Sequence, residues 1–211
     1  MRVFEIYTSV QGETRHAGRP CTLVRFAACD LRCTYCDTEY AFVGGVDRSI
    51  EQIVTEVKEL GPKLVLLTGG EPMLQRDLTA LAGRLLESGF EVMVETSGSH
   101  DIAPLPDGVV TILDIKTPGS GESARNFWPN LDRLGHKDAV KFVLTSEADY
   151  HFAVEVIRER DLATRTEVLL APAWGLVDPR DLVAWMLRDR LDARLNLQIH
   201  KYVWGPEAQK V

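Results

Sequence analysis

Lys63-Leu64-Val65-Leu66-Leu67-Thr68-Gly69-Gly70-Glu71-Pro72 reads as a buried strand that runs straight into a glycine turn. An apolar run of this length, bounded by turn residues and holding no polar alternation, suits a strand covered on both faces. Working back, Gly61-Pro62 stops a helix whose apolar positions Ile50, Ile53, Val54, Val57 and Leu60 recur at helical spacing. Ser49-Ile50-Glu51-Gln52 supplies a capping box for its start. Working forward, a helix from about Asp77 to Ser88 leads into a strand from Glu91 to Glu95. Helix, strand, helix, strand at this spacing predicts βαβ units and a parallel sheet.

The alternation continues in both directions. Val3 to Ile6 and Cys21 to Ala27 are predicted strands upstream. Downstream come strands at Val109 to Ile115, Val140 to Leu144 and Glu167 to Leu170, with a helix from Glu147 to Arg160. Asp178-Pro179 caps a helix carrying Leu182, Val183, Met186 and Leu187, and a strand from Leu195 to Ile199 closes the series. Six or seven strands in 211 residues are too few for a complete eight-fold barrel of about 250 residues. A partial barrel or an open doubly wound sheet remains, and in either the chemistry belongs at the carboxyl ends of the strands. Residues 28–38, 68–72, 95–98 and 114–116 are expected there. Gly119 to Asn130 is the one long irregular stretch and a candidate lid.

A net charge of −7 argues against a broad nucleic-acid-binding face, which needs a basic surplus. No apolar run has the length of a membrane span, and the stretch Met1 to Glu13 lacks the apolar centre of a secretory signal. A cytoplasmic protein with neither nucleic acid nor membrane as partner is the expectation. Of four cysteines, three fall in Cys29-Asp30-Leu31-Arg32-Cys33-Thr34-Tyr35-Cys36, a C-x3-C-x2-C run. Thiolates this close suit zinc or an iron–sulfur cluster better than a disulfide framework. A four-iron cluster held by three cysteines keeps one iron open, which is a sign of reactivity. The alternatives are a closed zinc site with Cys21 or a histidine as fourth ligand, or a redox disulfide. Cys21, inside the strand CTLVRFA, suits a buried small hydrophobe.

The cysteine run, with the aromatic Tyr35 before its last member, resembles the signature of the radical S-adenosylmethionine superfamily. Thr68-Gly69-Gly70-Glu71-Pro72 is similar to that superfamily's GGEP turn, and Val94-Glu95-Thr96-Ser97-Gly98 to its next strand end. Further segments resemble the 7-carboxy-7-deazaguanine synthase family: Tyr7-Thr8-Ser9-Val10-Gln11-Gly12-Glu13 with Gly18-Arg19-Pro20 and Arg25, then Cys36-Asp37-Thr38, then Gln198-Ile199-His200-Lys201-Tyr202.

The resemblance implies one radical SAM domain across residues 1–211, built as an α/β partial barrel with a mostly parallel sheet. It implies a [4Fe–4S] cluster on Cys29, Cys33 and Cys36, and Mg²⁺ at Thr38. S-adenosylmethionine would meet Tyr35, Cys36, Asp37, Gly70, Glu71, Thr96, Ser97, Asp114, Ile115 and Lys116, with Ala171-Pro172-Ala173 a looser match. The family often has Ser-Pro-Lys where this chain has Asp114-Ile115-Lys116. Val10, Gln11, Gly12, Glu13, Arg25, Thr68 and His200 would meet the substrate. That substrate is 6-carboxy-5,6,7,8-tetrahydropterin, converted to 7-carboxy-7-deazaguanine with loss of ammonia for queuosine and other 7-deazapurines. The enzyme would be a Mg²⁺-dependent carbon–nitrogen lyase and a homodimer, reduced by a flavodoxin or ferredoxin.

Read by themselves, several of these residues have plainer roles. A buried Arg25 must face solvent, pair with a protein acid or meet an anionic ligand. His200 and Lys201, expected at the end of the last strand, suit structural hydrogen bonds as well as a site. Phe127-Trp128 suits packing or an interface. The tail from Trp204 to Val211 runs past the point where shorter relatives stop. Two other functions share the cysteine run: a glycyl-radical-enzyme activase, and a non-catalytic zinc-binding adaptor. The activase does not predict the three family segments together, and the adaptor predicts stoichiometric zinc, no iron–sulfur absorption and no need for S-adenosylmethionine.

Overall fold

The capping box at Ser49 is formed in the computed structural model, which describes residues 1–210. Ser49 Oγ accepts from Gln52 N at 3.2 Å while Ser49 N donates to Gln52 Oε1 at 2.9 Å. The helix it starts, α1 (Ile50–Leu60), buries Ile53, Val54 and Val57 and stops at Gly61, whose φ of +101° suits glycine. The strand-and-turn stretch follows as β4 (Leu64–Gly69), then α2 (Leu78–Glu87) and β5 (Glu91–Thr96). Upstream lie β1 (Arg2–Val10), β2 (Pro20–Phe26) and the two-residue β3 (Val46–Asp47). Downstream are β6 (Val110–Asp114), β7 (Ala139–Leu144), α3 (Glu147–Glu159), β8 (Glu167–Pro172), α4 (Pro179–Arg188), β9 (Arg194–Leu195) and α5 (Ile199–Trp204). No helix of the described residues is long and apolar enough to cross a membrane.

The nine strands form one open sheet in the order β3-β1-β2-β4-β5-β6-β7-β8-β9. From β2 to β9 every pair is parallel, while β1 and β3 are antiparallel additions at one edge. Spatial order follows chain order from β2 onward without reversing. Right-handed crossovers then put the connecting helices α1 to α4 on one face, the incomplete-barrel solution rather than the doubly wound one. The core reflects this. Val65, Leu67, Val92 and Val94 pack on α1 and α2, and Val140, Phe142, Val168 and Leu170 on α3 and α4. The alternate residues Leu64, Leu66, Met93, Ile112, Ala139 and Leu169 make a smaller apolar floor on the other, concave face with Cys21.

Three sequence expectations are corrected. β1 continues through Tyr7 to Val10, because each of these residues pairs with β2. The last strand ends at Leu195; Ile199 onward is helical. The chain is diverted at Asn196, whose N donates to Leu170 O at 2.8 Å while its side chain turns to the loop after β1. The stretch Gly119 to Asn130 is not a free loop. It folds into three 3₁₀ turns with Ser120, Asn126 and Asn130 buried. Asn126 copies a strand partner by exchanging two hydrogen bonds with the Lys116 backbone, each at 2.9 Å. Val211, the end of the tail, lies outside the described residues.

Candidate active site

The cysteine loop leaves β2 through Ala28, which adopts a left-handed φ of +75°. The glycine turn after β4 packs directly beneath it: Gly70 N donates to Phe26 O at 3.0 Å and Glu71 N to Ala28 O at 2.8 Å. A Cβ at Gly70 would collide with the Ala28 carbonyl, so the close approach requires glycine. From the other side the segment after β6 straps the loop down. Thr34 N and Oγ1 donate to Ser120 O at 3.0 Å and Gly119 O at 2.7 Å. Asp30 meets Arg125 Nη2 at 2.8 Å and His100 Nε2 at 3.1 Å.

Cys29, Cys33 and Cys36 are free and partly buried. Burial raises all three thiols, Cys33 to about 11, with the Lys116 ammonium pulling the other way. They therefore ionise when a cation arrives, as metal ligation requires. Among the described residues no three His, Cys, Asp or Glu side chains converge as they would around one ion. The buried Tyr35 hydroxyl, Asp30 Oδ1 and Asp114 Oδ1 have no partner among the described residues, so the loop's rim keeps unmet polar capacity. Cys21 is buried in the floor and burial pushes its thiol to about 12, as suits a packing residue.

The next strand ends line up beside this loop. Glu71 is fully buried, and its carboxylate accepts from Met73 N at 2.8 Å, Thr96 Oγ1 at 2.7 Å and Ser97 N at 2.7 Å. Its side chain is thus committed to holding the ends of β4 and β5 together, which leaves only its backbone for a ligand. Ile115 is likewise buried in the helix-side core. Asp114 Oδ2 pairs with Lys116 Nζ at 3.0 Å, and that ammonium lies 5.9 Å from the Tyr35 ring centre. Thr68, at the end of β4, stands opposite Arg25 in the register.

Across the open side of the barrel, three distant segments meet. Gly12 O accepts from Ile199 N at 2.9 Å, and a Cβ on Gly12 would run into the His200 ring. Thr14 N donates to Asn196 Oδ1 at 2.8 Å, and Asn196 Nδ2 donates to Glu13 Oε2 at 3.0 Å. Asp37 accepts from Lys201 Nζ at 2.8 Å and Gln198 Nε2 at 3.2 Å. Gln11 is buried, and its side-chain oxygen folds back to accept from Glu13 N. Val10 pairs with Pro20 at the mouth of the hairpin. Burial lowers the His200 imidazole below its ordinary value.

Arg25 takes the second of its three sequence options, pairing with a protein acid. Its Nε donates to Glu5 Oε1 at 2.8 Å and its Nη2 to Tyr7 Oη at 3.3 Å, with the Tyr40 ring beside it. Nη1 is left for any ligand contact. Sequence reading missed Lys141, Glu95 and Asn196. Lys141 carried a legible signal, a lone cation in the apolar strand AVKFVL, the same signal that marked Arg25.

The parallel sheet and thiol loop define a class: residues 23–114 match the Radical SAM superfamily. The fold resembles the crystal structure of QueE from Escherichia coli, with a TM-score of 0.78 at 21% identity over 93% of each chain. The chain belongs to the 7-carboxy-7-deazaguanine synthase family. It is 45% identical to the 7-carboxy-7-deazaguanine synthase of Koribacter versatilis over the whole of both chains, and 38% identical to that of Chlorobaculum tepidum over all of this chain and 97% of the other. Membership implies a [4Fe–4S] cluster and S-adenosylmethionine, and the soft, dehydrated thiols of the loop fit the cluster.

Proposed function

We propose that this chain, acting as one radical SAM domain, converts 6-carboxy-5,6,7,8-tetrahydropterin to 7-carboxy-7-deazaguanine with release of ammonia. One observation carries the reading. The three segments that resemble this family and not other radical enzymes meet in space, Gly12 on Ile199 and His200, Asp37 on Gln198 and Lys201. An activase or an adaptor gives no reason for these segments to close the barrel together.

With S-adenosylmethionine bound, the cluster supplies the radical chemistry; the protein binds, orients and excludes water. Cys29, Cys33 and Cys36 would hold the cluster, and Tyr35, Cys36, Asp37, Gly70, the Glu71 backbone, Thr96, Ser97, Asp114 and Lys116 would line the cofactor's place. Val10, Gln11, Gly12, Glu13, Arg25, Thr68 and His200 would surround the pterin on the concave face. Thr38 Oγ1 gives its proton to Asp37 Oδ1 at 2.9 Å, so its lone pairs are free for a hard cation such as Mg²⁺. A homodimer, a flavodoxin- or ferredoxin-type donor, a cytoplasmic location and a place in queuosine biosynthesis belong to the same reading.

The test is one anaerobic reaction of reconstituted protein, S-adenosylmethionine, Mg²⁺, reductant and the pterin, read by mass spectrometry. A product lighter by ammonia, formed many times per S-adenosylmethionine consumed, is expected. Accumulating 5′-deoxyadenosine over intact pterin would overturn the substrate assignment.

A further inference from the structure

Asp149 is a buried carboxylate that no motif names and no part of the proposed reaction uses. It stands in the first turn of α3, 1% exposed, and its N–H donates to the N-cap Ser146 Oγ at 3.3 Å. Among the described residues its carboxylate is held by neutral donors. Thr145 N and Oγ1 donate to Oδ2 at 2.9 and 2.7 Å, and Gly119 N donates to Oδ1 at 2.8 Å. Burying a carboxylate is costly, and the positive end of a helix offsets only part of that cost. The bond to Gly119 reaches back 30 positions to the segment after β6. A Cβ at Gly119 would collide with Thr145 Oγ1 and the Asp149 carboxylate, so the approach requires glycine.

Gly119 opens the segment that grips the cysteine loop. Gly119 O accepts from Thr34 Oγ1 at 2.7 Å, and Ser120 O from Thr34 N at 3.0 Å. Glu122 Oε1 accepts from Arg32 N at 2.6 Å, and Arg125 Nη2 donates to Asp30 Oδ2 at 2.8 Å. The gripped residues all fall between Cys29, Cys33 and Cys36. The thiols thus stay free while the backbone that carries them is fixed. Thr117 Oγ1 ties the same segment to Val143 O at 3.0 Å, on the strand that leads into α3.

We propose that Asp149 is a positioning residue for the cysteine loop: from the start of α3 it fixes Gly119 and Ser120, and through them Thr34, and so sets where Cys33 and Cys36 present their thiols. The assignment rests on the reading of Cys29, Cys33 and Cys36 as cluster ligands. A carboxylate accepting from a backbone N–H makes a stronger bond than a neutral acceptor would. A loop held in this way has less freedom to lose when it ligates, which lowers the ordering cost of cluster binding.

The test loads wild type, Asp149→Asn, Thr34→Val and the double variant with iron and sulfide, and follows iron release to an external chelator without oxygen. Asp149→Asn should release iron at least about tenfold faster, the rate equivalent of one charge-assisted hydrogen bond. The EPR spectrum of its reduced cluster should change as the thiolates shift. Thr34→Val should also speed release. The double variant should exceed the faster single by less than about threefold, because both break one line of contacts. Asp178→Ala is the stability control, since the Asp178 side chain caps α4 and bonds only to Arg180. It should lower Tm and leave release and spectrum at wild type. Wild-type release from Asp149→Asn, an unchanged spectrum, or singles that multiply in full overturns the assignment, as does equal acceleration by Asp178→Ala. If Asp149→Asn fails to fold, the near-isosteric Thr145→Val, which takes one donor from the same carboxylate, decides by release and spectrum. Wild type that takes up no iron overturns the cluster reading along with this one; loaded wild type beside an indistinguishable Asp149→Asn overturns only the role of Asp149.

Discussion

The Lys201 ammonium sits 2.8 Å from the Asp37 carboxylate, joining the residue after the last cysteine of the C-x3-C-x2-C run to the C-terminal helix across 164 positions. Burial alone would raise the Asp37 pKa, but Lys201, Thr38 and Gln198 outweigh it and hold it below the usual carboxylate range. A folded-state pKa below the unfolded one adds stability that is complete above the unfolded value and fades as pH falls through the folded one. Lys201→Met should therefore cost about 1 kcal/mol at neutral pH, a modest value because the Asp37 side chain is 47% exposed. The gap between variant and wild type should close as the solution is acidified below about pH 4. Urea titrations at several pH values measure it; a gap that stays constant down to acid would detach Asp37 from Lys201.

Gly12 presses on the His200 ring, and its φ is not in the left-handed region, so an alanine there is a purely steric probe. Gly12→Ala should push α5 off the barrel mouth, costing about 1–3 kcal/mol by overpacking and weakening pterin binding. Gly83, inside α2 with nothing within 4 Å, is the control. Gly83→Ala should instead stabilise by about 0.5–1 kcal/mol through reduced unfolded-state freedom. Thermal melts of both, with KM for the first, check the contrast.

Arg25 and Glu5 form a pair with side chains 12% and 4% exposed. Removing either partner strands a buried charge, so Arg25→Gln should destabilise by about 3–5 kcal/mol. Adding Glu5→Gln should recover much of that stability. If Nη1 of Arg25 also grips the substrate carboxylate, KM should stay raised in the double variant although stability returns. A KM that recovers with stability would reduce Arg25 to a structural cation.

What was legible in the sequence was mostly local. The caps at Ser49 and Asp178 and the cysteine spacing involve groups within a few residues of each other, and Asp178 does accept from Arg180 N at 2.8 Å. The parallel sheet followed from strand and helix alternation for the same reason. What was misread depends on distant partners. The stretch Gly119 to Asn130 looked loose because its Gly, Ser and Asn residues are turn formers. Yet Asn130 is fixed by Ile102 N at 3.1 Å and His100 O at 2.7 Å, and Gly119 N by Asp149 Oδ1 at 2.8 Å. Leu195 to Ile199 reads as one strand because what breaks it is distant: Asn196 bonds to Leu170, Thr14 and Glu13, and Ile199 N to Gly12 O, all far away in the chain. In the site, the motifs marked the loops, while the contact of Lys141 with Glu95 emerged only once the sheet put β5 and β7 on either side of β6 with both side chains on the concave face.

The GGEP glutamate gives the last prediction, because motif and geometry assign its side chain different work. Glu71 Oε1 accepts from Met73 N and Thr96 Oγ1, and Oε2 from Ser97 N, with no exposed surface left. Glu71→Gln keeps the shape but turns an amide N–H₂ toward one of these donors. An unsatisfied buried donor costs about 1–3 kcal/mol, which in a chain of this size lowers Tm by roughly 2–12 °C. Weaker S-adenosylmethionine binding should follow in proportion, since Thr96 and Ser97 lose their anchor. Were the carboxylate instead a direct ligand contact, Tm of the cofactor-free protein would be unchanged and only the affinity would fall. Melting the variant without S-adenosylmethionine therefore separates a brace between two strand ends from a hand on the cofactor.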